Sequence, residues 1–255
     1  MKAIVIGSST GIGFELAKTL DEAGYALGIC GRNVEKMQRL SRELRRPATI
    51  EFLDLQNLDE AAEALRRLIQ KMEEVDLIVI NSGVGGANYD LDWQKEKLVI
   101  DVNVAGFTRM MIEAFNYFEK RGGGKIAAVS SIAGLRGFWH SPSYNASKAY
   151  MSNYMQAMRS KAAHLRLPIV VTDIVPGFVL TPLTEGKPSM FWVASAQKAA
   201  RQIYAAIDEG KNYVYVTRRW RIVGWVMKLF PETFLIWAMN RAKRRQTMAA
   251  NNGGR

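Results

Sequence analysis

The sequence predicts an α/β fold: a doubly wound, seven-stranded parallel sheet with helices on both faces and a helical appendage at the C-terminus. Three observations lead there. Apolar runs rich in Ile and Val recur along most of the 255 residues, and segments with helical apolar spacing lie between them. The runs are also hydrophobic almost without interruption, as strands buried on both faces must be. Strands alternating with helices require right-handed crossovers, and therefore parallel pairing.

In chain order the strand runs are KAIVI (2–6), YALGIC (25–30), ATIEFL (48–53), DLIVI (76–80), KIAAVS (125–130), PIVVTDIV (168–175) and NYVYV (212–216). Leu16, Leu20 and Ala23 share a helix face after the first run. Leu58, Ala61, Leu65 and Leu68 do so after the third, and Phe107, Met110, Met111, Ala114 and Phe118 after the fourth. No repeat, low-complexity stretch or Pro/Gly/Ser linker divides this body. Residues 1–217 therefore read as one domain and 218–255 as a basic, aromatic extension.

Composition narrows the chemistry. A hydrophobic share of 48% suffices for a core, and 23% charged residues is ordinary. The single cysteine, Cys30, excludes an internal disulfide framework; within ALGIC it is expected to be an inert buried thiol. The two histidines, His140 and His164, have no carboxylate spacing that suggests ligation, so no metal is expected. MKAIVIG enters a strand at once, which leaves no room for a signal peptide, and no run of ~20 apolar residues follows. A cytoplasmic protein is expected, meeting a membrane only peripherally, at its inner face.

The first strand leads straight into GSSTGIG (7–13) and then an amphipathic helix. A glycine-rich turn at that junction aims backbone N–H groups and the positive helix end at a phosphate, the arrangement of a Rossmann-type dinucleotide site. Gly7 permits the tight turn, Gly11 the approach of the pyrophosphate, and Gly13 close helix–sheet packing. The second strand ends in CGRN: Gly31 stands where NAD-selective folds carry a carboxylate, and Arg32 follows. A guanidinium grips a 2′-phosphate through paired hydrogen bonds, so NADP(H) is the expected cofactor. Farther on, SYNASKAY (143–150) places Tyr144 and Lys148 four residues apart on one helix face, where they can act on one small molecule.

Together these motifs resemble the short-chain dehydrogenase/reductase family over roughly residues 2–216. The resemblance implies cofactor contacts for Gly7, Ser9, Thr10, Gly11, Ile12 and Gly13 in the first turn. It implies them also for Asp54 and Leu55 in LDLQ, and for Asn81 and Gly83 in NSG. DVNVAG carries the family's helix asparagine as Asn103, and VSSIAG its catalytic serine as Ser131, thirteen residues before Tyr144. PGFVLTP resembles the loop that closes over the nicotinamide, through Pro176, Gly177, Val179 and Thr181. Ile6 replaces the threonine common before the first glycine, which leaves the bracing of that turn to be explained, and Ser82 replaces an alanine.

The implied activity is NADPH-dependent reduction of a small carbonyl compound. Tyr144 would be proton donor, Lys148 would lower its pKa and bind the ribose, Ser131 would fix the oxygen, and Asn103 would hold a relay water. A homodimer or homotetramer is usual for the family. A Ser–His hydrolase reading of His140 lacks a nucleophile elbow; with Phe138 and Trp139, His140 is expected to shape the substrate mouth. Alternatives are a catalytically silent dinucleotide sensor and a membrane-surface interaction protein.

The tail bears on the second alternative. Residues 218–255 hold nine basic side chains against one acid, Glu232, so eight of the eleven net positive charges lie there. Trp220, Trp225, Phe230, Phe234 and Trp237 accompany them, and Pro231 is expected to break the helix. Two readings stay open: helices that cover the body or form an oligomer interface, and a peripheral anchor over 218–245 on an anionic lipid surface. No nucleic-acid-binding module accompanies the basic run, so no nucleic-acid partner is expected. The apolar segment 184–195 suggests an apolar substrate.

Overall fold

The computed structural model describes residues 1–184, 190–231, 233 and 234. Seven parallel strands form its sheet: β1 (Lys2–Ile6), β2 (Ala26–Gly31), β3 (Thr49–Phe52), β4 (Leu77–Ile80), β5 (Gly124–Val129), β6 (Ile169–Pro176) and β9 (Tyr213–Val216), in the spatial order β3-β2-β1-β4-β5-β6-β9. The chain winds outward from β1 to β3, then returns to the other side of β1 with β4. That reversal opens a crevice at the C-terminal ends of β1 and β4, where α/β sheets hold their ligands.

Strand alternation divides the core in two. Ala3 and Val5 of β1 pack with α1 (Gly11–Glu22), α2 (Val34–Glu43) and α7 (Ala196–Asp208). Ile4 and Ile6 pack with α3 (Leu58–Met72), α5 (Phe107–Arg121) and α6 (Pro142–His164). Leu16, Leu20, Ala61, Leu65 and Leu68 and the α5 stripe from Phe107 to Phe118 are all buried, as their spacing requires. Full burial of each such leucine or phenylalanine contributes about 1.5–3 kcal/mol. Cys30 is buried in the sheet, and desolvation pushes its thiol well above the usual range.

Two features interrupt the regular pattern. The helix from α4 (Trp93–Ile100) to α5 is continuous but widens to π geometry over Asp101–Gly106. After β6, two short strands, β7 (Val179–Leu180) and β8 (Ala194–Ser195), pair in parallel and tie together the ends of the intervening loop.

Residues 1–220 form one compact unit and 221–255 a second. Trp220 belongs to the first, 2% exposed and edge-on to Phe178 at 5.4 Å. Helix α8 (Trp220–Leu229), in the second unit from Arg221 on, stops two residues before Pro231. Ile222, Trp225, Val226 and Leu229 are exposed, the Arg221 guanidinium lies 5.5 Å from the centre of the Trp225 ring, and Phe230 stacks on Phe234. The rest of the expected anchor, 235–245, lies outside the described residues. Among the described residues no helix is long and apolar enough to cross a membrane.

Candidate active site

The crevice begins at the turn after β1. Gly7 and Gly11 have φ of +86° and +60°, a left-handed backbone that glycine adopts without strain. A Cβ on Gly13 would lie 2.1 Å from the Gly7 carbonyl oxygen, so only glycine lets α1 sit this close to the strand end. Thr10 precedes α1 without capping it through its side chain, and no acid occupies the first turn. The helix therefore presents bare N–H groups and its positive end to the crevice. The bracing that Ile6 left unexplained comes from the segment after the neighbouring strand β4. Asn81 Nδ2 donates to the Gly7 carbonyl at 2.7 Å, while the Asn81 and Ser82 N–H groups donate to the Ile6 carbonyl at 2.9 and 3.0 Å.

Arg32 stands exposed at the end of β2 and makes no ion pair among the described residues. The next residue, Asn33, caps α2 by accepting from Lys36 N–H at 2.8 Å. Asp54 and Leu55 follow β3, with Asp54 Oδ1 turned to the Gln56 N–H.

At the other end, Ser131 opens a short 3-10 turn after β5, its Oγ accepting from Ala133 N–H at 3.1 Å. Tyr144 lies in the first turn of α6, within hydrogen-bond reach of the Ser131 hydroxyl. Lys148, one turn on, is 4% exposed. Its Nζ donates to the Val129 carbonyl at 2.8 Å and lies 5.9 Å from the centre of the Tyr144 ring. Asn145 fixes the distance between the two elements: Nδ2 donates to the Ala133 carbonyl at 2.9 Å and Oδ1 accepts from Phe138 N–H.

One cleft of about 640 Å³ gathers the glycine turn, Arg32, Asp54, Leu55, Asn81, Gly83, Ser131, Tyr144, Lys148, Pro176, Gly177, Val179 and Thr181. Ser9, Thr10 and Ile12 line it too; of the expected contacts, Gly13 and Asn103 do not. Gly13 packs behind the turn. Asn103 is 0% exposed and bonds both backbone groups of Val84, through Nδ2 at 2.7 Å and Oδ1 at 2.9 Å, with Ser147 Oγ at 3.1 Å. It thus steadies the segment after β4 from the π-helical turn. Thr184, not singled out in the sequence, closes the 176–184 loop by donating to the Val179 carbonyl at 2.6 Å and accepting from Thr181 N–H.

The family description "short chain dehydrogenase" matches residues 1–190. The chain belongs to this family. An uncharacterized oxidoreductase of Myxococcus xanthus is 35% identical over 188 residues, 71% of this chain and 73% of the relative. A putative ketoacyl reductase of Streptomyces coelicolor is 29% identical over 220 residues, 82% and 83% of the two chains. The solved structure of a short-chain dehydrogenase/reductase from Burkholderia phymatum in complex with NAD shares the fold, with a TM-score of 0.78 over 88% of this chain and 91% of that one, at 18% identity.

As a short-chain dehydrogenase the chain is an oxidoreductase with a nicotinamide dinucleotide as cofactor. Its residues fit one: the uncapped α1 terminus suits a pyrophosphate, and the cleft runs from there to Tyr144. Electrostatics at the catalytic end depart from the sequence expectation. Burial holds the Tyr144 phenol above its ordinary range, with the Ser131 hydroxyl opposing; Lys148 does not lower it. The reason is that Lys148 is itself desolvated, which pulls its pKa down to about 8 against the opposing charge of Asp173. Phe138, Trp139 and His140 form an aromatic cluster with Tyr89 just before α6. Among the described residues no group of three His, Cys, Asp or Glu side chains is placed to hold a metal.

Proposed function

We propose that the protein reduces an apolar ketone or aldehyde to its alcohol with NADPH. One observation carries the reading: Ser131, Tyr144 and Lys148 stand at one end of a cleft whose other end holds Arg32 without an ion-pair partner among the described residues. When bound, the cofactor supplies the hydride. Tyr144 gives its phenolic proton to the carbonyl oxygen as negative charge develops there. The Ser131 hydroxyl donates a hydrogen bond to the same oxygen and sets its position. Lys148 holds a positive charge beside the phenol, and the 176–184 loop lines the same cleft. An apolar substrate is suggested by the exposed Leu183 in that loop and Phe191, Trp192 and Val193 after it; the 185–189 part of the expected pocket wall lies outside the described residues. The Streptomyces relative, a putative ketoacyl reductase, agrees with carbonyl reduction.

The cofactor choice is tested by titrating the protein with NADPH and NADH while following tryptophan emission. Wild type binds NADPH more tightly, and Arg32→Ala weakens NADPH at least about tenfold while moving NADH less than about twofold, since a charged hydrogen bond contributes about 1.5–3 kcal/mol. Equal loss for both cofactors, or NADH preference in wild type, overturns the assignment.

The second unit supports a peripheral lipid contact for a cytoplasmic enzyme. Ile222, Trp225 and Leu229 are exposed beside Arg221 and Lys228, a pairing that suits an anionic surface. The full chain is expected to cosediment with phosphatidylserine vesicles, and the double variant Trp225→Glu, Leu229→Glu to lose at least about fivefold of that partition. Absence of partition in wild type removes the membrane from the proposal. The family's usual homodimer or homotetramer is proposed as the assembly, read by analytical ultracentrifugation.

A further inference from the structure

The helix that carries Tyr144 starts without a cap of its own. Helix α6 begins at Pro142, which has no N–H to offer, and no acid stands in its first turn. Ser141, at the cap position, makes no capping hydrogen bond through its side chain. The first N–H of the helix is therefore that of Ser143, the residue before Tyr144. A helix start of this kind needs an acceptor from elsewhere.

The acceptor comes from another helix. Glu96 of α4 lies 47 residues away in the chain and takes the Ser143 N–H on Oε2 at 3.0 Å. A carboxylate there answers both the bare N–H and the positive end of the helix. Its other oxygen, Oε1, accepts from Asn88 Nδ2 at 2.6 Å. Asn88 is 3% exposed, and every polar atom of its side chain is engaged. Nδ2 donates also to the Asp92 carbonyl at 3.0 Å, and Oδ1 accepts from the Asp92 N–H at 2.9 Å. The Asn88 backbone N–H donates to the His140 carbonyl at 2.7 Å. Asn88 thus joins the segment after β4 to the start of α4 and to the turn before α6, and Glu96 closes the circuit.

The same segment covers Tyr144. Asn103 grips Val84 through both of its backbone groups, and Asn88 is held four residues on. Between these two anchors Gly85 lies against the phenol ring: a Cβ there would stand 2.3 Å from Tyr144 Cδ2 and 2.6 Å from Cε2. One side of the ring is set by this strap, and its backbone by the first turn of α6. Glu96 bonds to both, to the strap through Asn88 and to the turn through Ser143. Glu96 itself does not line the cleft, so it acts on the chemistry only through these contacts.

We propose that Glu96 is a positioning residue of this active site: its carboxylate, by capping α6 from outside and holding Asn88, fixes where the Tyr144 phenol stands in the cleft. The proposal rests on the reading of Tyr144 as the proton donor. Without that hold the first turn of α6 frays and the strap over the ring loosens, while the cofactor end of the cleft stays as it was.

The test uses the full chain labelled with 13Cζ-tyrosine; of the nine tyrosine signals, Tyr144→Phe identifies one by deleting it. Glu96→Gln keeps the size of the side chain but turns an amide donor towards the Asn88 amide or the Ser143 N–H. The Tyr144 signal is expected to move by more than its linewidth. NADPH affinity should stay within about twofold, and single-turnover reduction of an aliphatic ketone should slow about tenfold or more, as small misplacements of reacting groups do. Adding Asn88→Asp offers the new amide an acceptor and is expected to recover most of both effects. An unmoved Tyr144 signal in folded Glu96→Gln overturns the proposal even where Tm falls, because a cap that only stabilises leaves the ring where it was. A moved signal with an unslowed reaction overturns it too, as does an absence of recovery in the double variant. Should Glu96→Gln not fold, Asn88→Ala, which releases the other oxygen of the carboxylate, is judged by the same two readouts. The tyrosine signal needs neither substrate nor turnover. A wild type that reduces no ketone would therefore refute the function proposed above, and the signal alone would decide the hold of Glu96 on Tyr144.

Discussion

Tyr144→Phe keeps cofactor affinity within about twofold of wild type and loses about 10³-fold in turnover, in the range ascribed to a positioned proton donor. The substitution removes the hydroxyl and nothing else. The ring stays packed against the backbone at Gly85, where a Cβ would come within 2.3 Å of Tyr144 Cδ2, so the substitution keeps the ring in place. Single-turnover reduction of an aliphatic ketone, read by NADPH absorbance, separates the proton step from binding. Near-normal rates would remove Tyr144 from its role.

Lys148→Met is expected to do two opposite things: turnover falls about 10²-fold or more, and the protein becomes more stable. The Lys148 pKa is about 8 in the folded chain against an ordinary 10.5, so the unfolded chain holds this proton more tightly. Stability is therefore lowest below pH 8 and rises as pH climbs from about 8 towards 10.5. A neutral, similarly shaped side chain removes a penalty of about 3 kcal/mol at pH 7. The orphaned Val129 carbonyl offsets about 1 kcal/mol of that. A net gain of about 2 kcal/mol raises Tm by about 4–8 °C for a chain of this size. The gain should shrink by pH 10, where wild-type Lys148 is already neutral. A lowered Tm at pH 7 would refute the electrostatic account.

Much of this was legible in the chain and some was not, for reasons that particular residues make plain. The central sheet strands announced themselves because they are wrapped on both faces and carry nearly continuous apolar runs, while the edge strands β3 and β9 were legible as shorter runs, TIEF and YVYV. The glycine turn, Ser131, Tyr144 and Lys148 were legible because their spacing within single elements decides where they fall. The π-helical turn was not. Buried Val99, Asn103, Phe107 and Met111 keep a stride of four residues, which a wider helix needs, but so short a run is lost among ordinary helix spacings. The β7–β8 pair was invisible because two residues have no period. Asp173 was hidden within PIVVTDIV: the run predicts the strand, but its partner Ser130 is forty-three residues away. Tyr144's pKa direction was misjudged because a neighbouring lysine can be read from sequence, whereas the desolvation of both groups cannot.

The pairing of Val179–Leu180 with Ala194–Ser195 has a consequence for how such a protein changes over time. The two ends of the segment between them are secured to each other and run directly into β6 and α7, so the central sheet does not depend on what lies inside. Insertions and deletions between Thr184, which closes the cofactor loop, and Phe191, which packs on Phe178, become a loop-closure problem, in which doubling the length costs only about 0.6 kcal/mol. The stretch behaves as an exchangeable cassette. New specificity can be acquired there, by descent or by engineering, without renegotiating the fold.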